Sequence, residues 1–488
     1  MTLPRAFLDT ARALVRADTS PGHGTRAAAE LLAPLYEAAG LQIRRQEGEP
    51  GEVNVLAGPG GTGAAAADAS RVATTGGTLL VTHVDTVPGG PAERWTETGA
   101  DPWALTEKDG VLFGLGCADV KLDALCKIEA ARRLRERKLS RPFWLLATCG
   151  EEIGLRGAKR FASSALFAEI QPRHVLCGEP SELKLITAHK GYAVVRCTVT
   201  DAKARLVSTA GPGIERLAFA GKAAHSSTPQ LGVNAIRRAL QWARSSGTPL
   251  LSVSGGTGAN VVPAMCVLEV PVPRDSGEPS PDEVRFIPAT EPRPNLWRAV
   301  MTAGALEDLW LSLVRALSPA EDARFDPAGA VGGLNVLTSE GEASAGGVYG
   351  RAVAHATLDA RLLPQHDPDD LLRKFADEAQ EWVRGLGDGE LSLHVEVTRN
   401  AGGMSLADDA SLVTSIGRVL SRFGLDPRPR AKPTSTEAGV FARAGCEAVV
   451  IGPGRSTGNV HEPNERIELG QLEKAIDVYE AILLELCG

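Results

Sequence analysis

Five short motifs of this chain carry acidic and histidine side chains at the end of an apolar segment or in the loop after it. The side chains are His83 and Asp85 in THVDT, Asp119 in GLGCADVK, Glu151 and Glu152 in TCGEEIG, Glu179 in LCGEPSE, and His461 in GNVHEPNE. Imidazole and carboxylate groups are suitable ligands for ions such as Zn²⁺, and one carboxylate can bridge two ions. The motifs together therefore predict a metal centre.

The adjacent acids Glu151 and Glu152 are the most informative pair. One of them can bind a metal ion while its neighbour stays free to take a proton from water. Two metal ions about 3.5–4 Å apart activate a water molecule and stabilise the oxyanion that forms when an amide is hydrolysed. A structural interpretation also exists, because paired acids at the start of a helix interact favourably with the helix dipole. Metal-assisted amide hydrolysis is the chemistry that explains all the residue types together.

The elements that must position these residues alternate between strands and helices. The apolar runs TLLVTHVDTV, FWLLAT and HVLCG are typical of buried strands, and helices are predicted at about 120–138 and from about 155. This alternation predicts a mostly parallel sheet. Because such sheets bind ligands beyond the carboxyl ends of their strands, the five motifs should meet in space.

From about residue 184 the pattern changes, since KLITAHKGYAVVRCTVTD alternates apolar and polar residues as a half-exposed antiparallel strand does. The stretch 274–295 is rich in Pro, Glu and Ser and predicts an irregular insertion. A helix with aspartate capping residues is predicted to begin at HDPDDLL. The sequence therefore predicts one α/β domain that is interrupted by a smaller α+β domain.

The composition is that of a globular protein of 488 residues, with 43% hydrophobic and 23% charged residues. The net charge of −8 argues against nucleic acid as the main partner. We expect no membrane segment, because no run of about 18 apolar residues occurs. The eight cysteines form no CxxC pair and indicate reduced thiols, so a cytoplasmic location is predicted.

In their order along the chain, the motifs resemble those of the acetylornithine deacetylase, succinyl-diaminopimelate desuccinylase, aminoacylase and carboxypeptidase-G family of di-zinc metallohydrolases. The resemblance runs from LVRADTSPG to HEPNERI. It implies an α/β, zinc-peptidase-like catalytic domain at 1–185 and 367–488, with an inserted α+β lid and dimerisation domain at 186–366. It also implies a homodimer, a small N-acyl amino acid or peptide-like substrate, and two divalent metal ions, Zn²⁺ or else Co²⁺ or Mn²⁺.

The resemblance gives each residue of the metal centre a role. Glu151 matches the general base, and Asp85 matches the acid that orients the first histidine ligand. The peptide bond after the bridging carboxylate is cis in this family. The implied ligands are His83, Asp119 and Glu179 for the first metal ion, and Asp119, Glu152 and His461 for the second.

Four further residues match substrate-facing positions of the family. His225 in GKAAHSSTPQ matches a histidine that reaches the partner subunit's active site and helps to hold the oxyanion, although a polar residue at a helix entry is the structural alternative. Asn260 in GGTGANVVPA matches an asparagine that faces the substrate. Arg361 in LDARLLP matches an arginine that grips a substrate carboxylate. Gly439 in STEAGVF lies in a loop that lines the family's site, where its N–H is expected near a substrate carboxylate.

Three alternatives stay open at this level. A dipeptidase or aminopeptidase would use the same metal centre, because substrate choice depends on the pocket rather than on the ligands. A catalytically silent scaffold of the same fold is the second alternative, and a hydrolase with only one filled metal site is the third. The chain also departs from the family after Asp119, where Lys121-Leu122-Asp123 replaces the usual KGG turn.

Overall fold

The computed structural model describes residues 3–59, 76–209, 213–272, 281–289, 291–317, 321–344, 348–387 and 389–488. The chain divides into two compact units, of which the first contains Met1–His189 and Met404–Gly488 and the second contains Lys190–Gly403. The second unit is therefore one continuous segment inserted into the first. It extends further along the chain than the predicted inserted domain at 186–366, because the helix and strand that follow residue 366 pack with the second unit.

The helices and strands have the following bounds in the described part of the chain. The helices are α1 (Arg5–Arg16), α2 (Arg26–Ala38), α3 (Lys121–Arg133), α4 (Arg156–Ala162), α5 (Ala165–Ile170), α6 (Ala235–Ser246), α7 (Trp297–Ala316), α8 (Pro368–Gly385), α9 (Ser411–Arg422), α10 (Ala438–Arg443) and α11 (Leu469–Cys487). The strands are β1 (Gln42–Glu47), β2 (Val53–Gly58), β3 (Thr78–His83), β4 (Thr106–Lys108), β5 (Val111–Phe113), β6 (Phe143–Thr148), β7 (His174–Cys177), β8 (Ile186–His189), β9 (Gly191–Val207), β10 (Ile214–Ala220), β11 (Ser252–Gly255), β12 (Met265–Pro271), β13 (Glu283–Ile287), β14 (Arg293–Pro294), β15 (Val331–Ala343), β16 (Tyr349–Leu362), β17 (Leu391–Ala401), β18 (Met404–Ser405), β19 (Arg430–Lys432), β20 (Glu447–Val450) and β21 (Arg466–Glu468).

The first unit is built on a sheet with the strand order β1-β2-β6-β3-β7-β20-β8-β18, and β19 pairs with β8. Its central strands β6, β3, β7 and β20 are parallel. Successive residues of β3 face opposite sides, so Leu80 packs in one core with α3 and α11, whereas Leu79 packs in a second core with α4 and α10. Both faces are covered, which explains why β3 and β6 are buried along their whole length.

The second unit contains an antiparallel sheet with the order β13-β10-β12-β11-β15-β16-β9-β14, and β17 pairs with β9. Helices α6, α7 and α8 share one hydrophobic core with this sheet. Helix α8 begins after Asp367, whose side chain accepts the N–H of Asp369, as the capping pattern predicts. The predicted α/β fold class with a smaller α+β part is confirmed. In the described part of the chain no helix is long and apolar enough to cross a membrane.

The Pro-, Glu- and Ser-rich stretch 274–295 is only partly irregular. Residues 273–280 and 290 lie outside the described part, but β13 and β14 fall within the stretch. Strand β13 forms the edge of the sheet and pairs with β10 over five residue pairs. The backbone partners that β10 offers explain why this polar segment is extended, because a strand at a sheet edge needs no continuous apolar pattern.

Candidate metal centre

Three central strands of the first unit end just before predicted site residues. Strand β3 ends at His83, β6 ends at Thr148 shortly before Glu151, and β7 ends at Cys177 shortly before Glu179. In the sheet, His83 lies beside Thr148. Because these neighbouring strands are parallel, their carboxyl ends lie at one edge of the sheet, where α/β proteins bind ligands.

Asp119 lies between two histidines, in the loop before α3. Its Oδ1 is 3.2 Å from Nε2 of His83, and its Oδ2 is 3.2 Å from Nε2 of His461. The peptide bond from Asp119 to Val120 is cis, as the resemblance implies. A carboxylate with one oxygen toward each imidazole has the arrangement of a group that bridges two cations.

Two groups of potential ligand atoms form around this carboxylate. The first contains His83, Glu151 and Glu152, and the second contains Asp119, Glu152 and His461, with the ligand atoms of each group within 4.8 Å of one another. Glu152 also contacts Nε2 of His461 at 2.9 Å through its Oε1. Imidazole nitrogens and carboxylate oxygens are the donors that Zn²⁺ and similar ions take, so the residues present fit a pair of divalent cations.

Asp85 contacts residues of the centre from two neighbouring strands, the histidine at the end of β3 and the two glutamates in the loop after β6. The Nδ1 of His83 is 3.1 Å from the backbone carbonyl of Asp85 and 3.7 Å from its carboxylate, so Nε2 is left to face Asp119. The two carboxylate oxygens of Asp85 accept the backbone N–H groups of Glu151 and Glu152, each at 3.1 Å. Asp85 therefore orients the first imidazole and also holds the loop that carries the two glutamates.

The proton affinities of these groups reflect the density of negative charge. Burial, followed by the charge of Glu152, raises the pKa of Glu151 well above its usual range. Burial acts against a charged imidazole, but the carboxylates of Glu152 and Asp119 outweigh it and raise the pKa of His461 to about 11. Burial likewise disfavours the charged form of Asp119, yet its bonds to His461 and His83 lower its pKa. The negative charge of these carboxylates, which raises the pKa of both imidazoles, also attracts metal cations.

Glu179 lies beside these groups and has a partner that the sequence did not indicate. Its Oε2 is 2.7 Å from Nζ of Lys432, the last residue of β19. Among the residues described, neither group of potential ligand atoms includes Glu179. The predicted ligand is thus close to the centre and is held by an ammonium group.

Two further buried glutamates accept hydrogen bonds from segments that carry residues of the metal centre. Oε1 of Glu465 accepts the backbone N–H groups of Ala118 and Asp119 at 2.8 and 3.0 Å, which fixes the loop of the bridging carboxylate. Oε2 of Glu437 accepts the hydroxyl of Thr148 at 3.0 Å. Burial raises the pKa of each of these two glutamates to about 7. Sequence reasoning assigned neither, although both stand inside quoted motifs, STEAGVF and HEPNERI.

The family model for the peptidase family M20/M25/M40 matches residues 79–485. This span includes all the metal-centre residues described above. The chain belongs to this family. The resemblance that the motifs indicate is therefore confirmed.

Relatives of this M20-family chain include an acetylornithine deacetylase of Vibrio vulnificus (strain CMCP6), which is 36% identical over 244 residues, 48% of this chain and 53% of that protein. The chain thus spans about half the length of the curated relatives it matches. Among solved structures, an aminoacylhistidine dipeptidase from Vibrio alginolyticus has a TM-score of 0.60 at 14% identity and covers 100% of this chain and 98% of its own. The M20 metallo-carboxypeptidase Sso-CP2 from Sulfolobus solfataricus has a TM-score of 0.58 at 18% identity, with 99% of each chain covered. These structures show a shared fold.

In the second unit of the M20-family chain, three predicted substrate-facing residues lie around Ser226. The N–H of Ser226 donates to the carbonyl of Asn260 at 2.9 Å, and Nη2 of Arg361 donates to its hydroxyl at 3.3 Å. His225 is the preceding residue, and its side chain is exposed, as is that of Asn260. Arg361 is only 3% exposed and stacks on the ring of Tyr192 at 3.4 Å from the ring centroid. Residues far apart in sequence therefore meet in this unit.

Gly439, the fourth predicted substrate-facing residue, lies in a short helix of the first unit. It is the second residue of α10, and its N–H donates to the carbonyl of Thr436 at 3.2 Å. The side chain of Thr436 in turn accepts the N–H of Ala438 at 3.2 Å. The N–H of Gly439 thus takes part in the first turn of the helix, and its expected place near a substrate carboxylate stays a prediction.

Proposed function

We propose that this M20-family chain is a two-metal amidohydrolase that cleaves an amide bond in a small N-acyl amino acid or peptide-like substrate. The observation that carries the proposal is Asp119, whose two oxygens face the Nε2 atoms of His83 and His461. The identity to acetylornithine deacetylases over about half of the chain supports a deacylase. The dipeptidase likeness rests on fold alone, so a dipeptidase is an outcome of the test below.

The metal ions would be held by residues of the first unit, and we propose Zn²⁺, with Co²⁺ or Mn²⁺ as alternatives. When bound, a pair of such ions supplies a water of lowered pKa and polarises the amide carbonyl. Asp85 fixes the tautomer of His83, so that its Nε2 is the free ligand atom. The proposed ligands are His83, Asp119 and Glu179 for one ion and Asp119, Glu152 and His461 for the other.

Glu151 is the residue to which we assign the proton transfers. Both glutamates lie in the group of potential ligand atoms with His83, and the contact of Glu152 with His461 is our reason for assigning metal binding to Glu152 and proton transfer to Glu151. Glu151 takes a proton from the attacking water and later gives it to the departing amine. Burial and the charge of Glu152 raise the pKa of Glu151, which is the direction that favours uptake of a proton by this carboxylate.

The second unit would supply the groups that recognise the substrate. We assign stabilisation of the oxyanion to His225, whose Nδ1 lies 2.7 Å from the hydroxyl of Ser227 and accepts the backbone N–H of Ser227, which makes Nε2 the protonated nitrogen. Asn260 would face the substrate, and the guanidinium of Arg361 would bind its carboxylate. The clustering of these residues around Ser226 supports a common task.

We also propose that two copies associate through the Lys190–Gly403 unit and that the enzyme works in the cytoplasm. Edge strand β13 supports the first proposal, because it exposes Phe286 and Val284 and, among the residues that the structure describes, pairs with β10 alone. The eight cysteines support the second, since each is a free thiol. Light scattering during gel filtration measures the assembly state, and a monomer at working concentration would refute the dimer.

A substrate screen tests the function. Metal-free protein is incubated with Zn²⁺, Co²⁺ or Mn²⁺ and with N-acetyl amino acids, N-succinyl amino acids and dipeptides, and release of the free amine is measured. We expect metal-dependent hydrolysis of at least one N-acyl amino acid, and the matched variant Glu151→Gln should lack it. Cleavage of dipeptides alone would establish the dipeptidase instead. Hydrolysis that survives chelation and the Glu151→Gln change would refute the proposed mechanism.

A further inference from the structure

Lys432 places a positive charge inside the metal centre. Its Nζ is 2.7 Å from Oε2 of Glu179, and the two side chains are only 16% and 9% exposed. The charges of Asp119 and Glu151 also act on this ammonium group. Lys432 thus lies against Glu179, one of the proposed metal ligands.

The surroundings of Lys432 explain why a cation is needed there. Glu179, Asp119, Glu151 and Asp85 are all buried at this edge of the sheet. Buried carboxylates that crowd together repel one another strongly, because water screens them little. A bound metal pair removes this repulsion, and in the metal-free protein Lys432 supplies a counter-charge at Glu179.

We propose that Lys432 is an internal competitor of the metal ion for Glu179. In the metal-free protein its ammonium group neutralises Glu179, and in the loaded protein it stands beside cations of the same sign. Binding of the ion at Glu179 must therefore overcome the existing ion pair and a repulsion between like charges. Lys432 therefore stabilises the folded protein in the absence of metal and lowers its affinity for the metal ion. This inference rests on the proposed metal centre.

The chain offers a matched pair of the same chemistry outside the centre. Nζ of Lys184 is 2.6 Å from Oε2 of Glu182, but the two side chains are 49% and 40% exposed. Water screens that pair, so its removal should change little. Lys184→Met is therefore the control for replacing a lysine that is paired with a glutamate.

The experiment compares Zn²⁺ affinity and thermal unfolding of the full chain. Zn²⁺ is titrated into chelator-stripped wild type, Lys432→Met, Lys432→Gln, Lys432→Arg and Lys184→Met in competition with a fluorescent zinc chelator. We expect Lys432→Met and Lys432→Gln to bind one Zn²⁺ at least about tenfold more tightly than wild type, because a nearby like charge is removed. Lys432→Arg keeps the charge and should bind as wild type does. The metal-free Lys432→Met protein should unfold at a lower temperature, whereas Lys184→Met should match wild type in both measurements.

Two results would overturn the inference or its basis. Unchanged or weaker Zn²⁺ binding by the two neutral variants, with wild type binding Zn²⁺ normally, would show that Lys432 is no competitor and would leave the proposed function standing. Absence of Zn²⁺ binding by wild type would refute the metal centre itself. If Lys432→Met does not fold without metal, Lys432→Gln decides the question, because its amide can still donate to Glu179.

Discussion

Glu437 is the buried acid that accepts the hydroxyl of Thr148 next to the metal centre. Replacing it with glutamine tests whether its carboxyl group is protonated in the folded protein. Burial raises the pKa of Glu437 from 4.5 to about 7, against the opposing effects of His83 and of the hydroxyl of Thr148. Glutamine is neutral at every pH and retains an oxygen that can accept the Thr148 hydroxyl. The variant therefore mimics the protonated carboxyl group.

The sign of the effect depends on which state of the chain, folded or unfolded, releases the proton of Glu437 at the lower pH. Between about pH 4.5 and about pH 7 the unfolded chain has released the proton of Glu437 while the folded chain still holds it. The stabilising contribution is complete below the unfolded pKa and is lost as the pH rises through the folded pKa. Wild type should thus lose stability through Glu437 as the pH rises over this window, and the Glu437→Gln variant should not.

The magnitude follows from the separation of the two pKa values. The folded pKa lies about 2.5 above the ordinary value, and each unit corresponds to about 1.4 kcal/mol. Between about pH 5 and about pH 8.5, this linkage amounts to about 2.5 kcal/mol. Glutamine also brings an amide N–H group that must find an acceptor, which costs about 1–3 kcal/mol if it finds none. This cost is the same at both pH values and cancels in the comparison.

The assay is urea unfolding of metal-free wild type and Glu437→Gln at the two pH values. The free energy of unfolding of the variant, relative to wild type, should rise by about 2.5 kcal/mol from the lower to the higher pH. Glu136→Gln is the control, because the side chain of Glu136 is 85% exposed and water solvates its charge in both states. A relative free energy that is the same at both pH values would refute the argument from burial.

Three further outcomes are expected at the metal centre. Glu151→Gln should bind Zn²⁺ as wild type does and lower turnover by about 10²–10⁴-fold, as measured on the best substrate; retained turnover would exclude it as the general base. Asp85→Asn should weaken Zn²⁺ binding about 10–100-fold in a chelator competition, since an amide oxygen and an NH₂ group cannot accept both backbone N–H groups that the carboxylate accepts. His461→Ala should halve the zinc content per chain in elemental analysis, and an unchanged content would remove His461 from the ligands.

Local sequence pattern was sufficient to predict the edge of the sheet where the metal-centre residues meet. The strands before His83 and Glu151 are continuous apolar runs, and buried parallel strands have this pattern. The polar residues that follow such runs lie at the carboxyl ends of the strands. The bridging role of Asp119 came from the resemblance, and the contacts of Asp119 with His83 and His461 agree with a bridging position.

The pattern could not show partners that are brought close only by the fold. Lys432 and Glu179 are separated by 253 positions, and no spacing rule connects a lysine at the end of a short strand with a distant glutamate. The same holds for Arg361 and Ser226, which are 135 positions apart. The hydrogen bond from the N–H of Gly439 to the carbonyl of Thr436 could not be predicted for a different reason, since it depends on where a short helix begins.

The division of the first unit into two stretches of chain has a consequence for biosynthesis. Strand β20 lies between β7 and β8 in the sheet, although the whole Lys190–Gly403 segment is translated after β8 and before β20. While the ribosome is still making that segment, β7 lacks its neighbour β20 and the nascent chain has no His461. The inserted segment is contiguous and can fold as soon as it emerges, whereas the first unit must wait for its last strands. Metal binding that uses His461 would therefore be postponed until the inserted segment and the chain through His461 have been translated. Until β20 has been made, the open strand edge of β7 is a site where a chaperone or another nascent chain can pair.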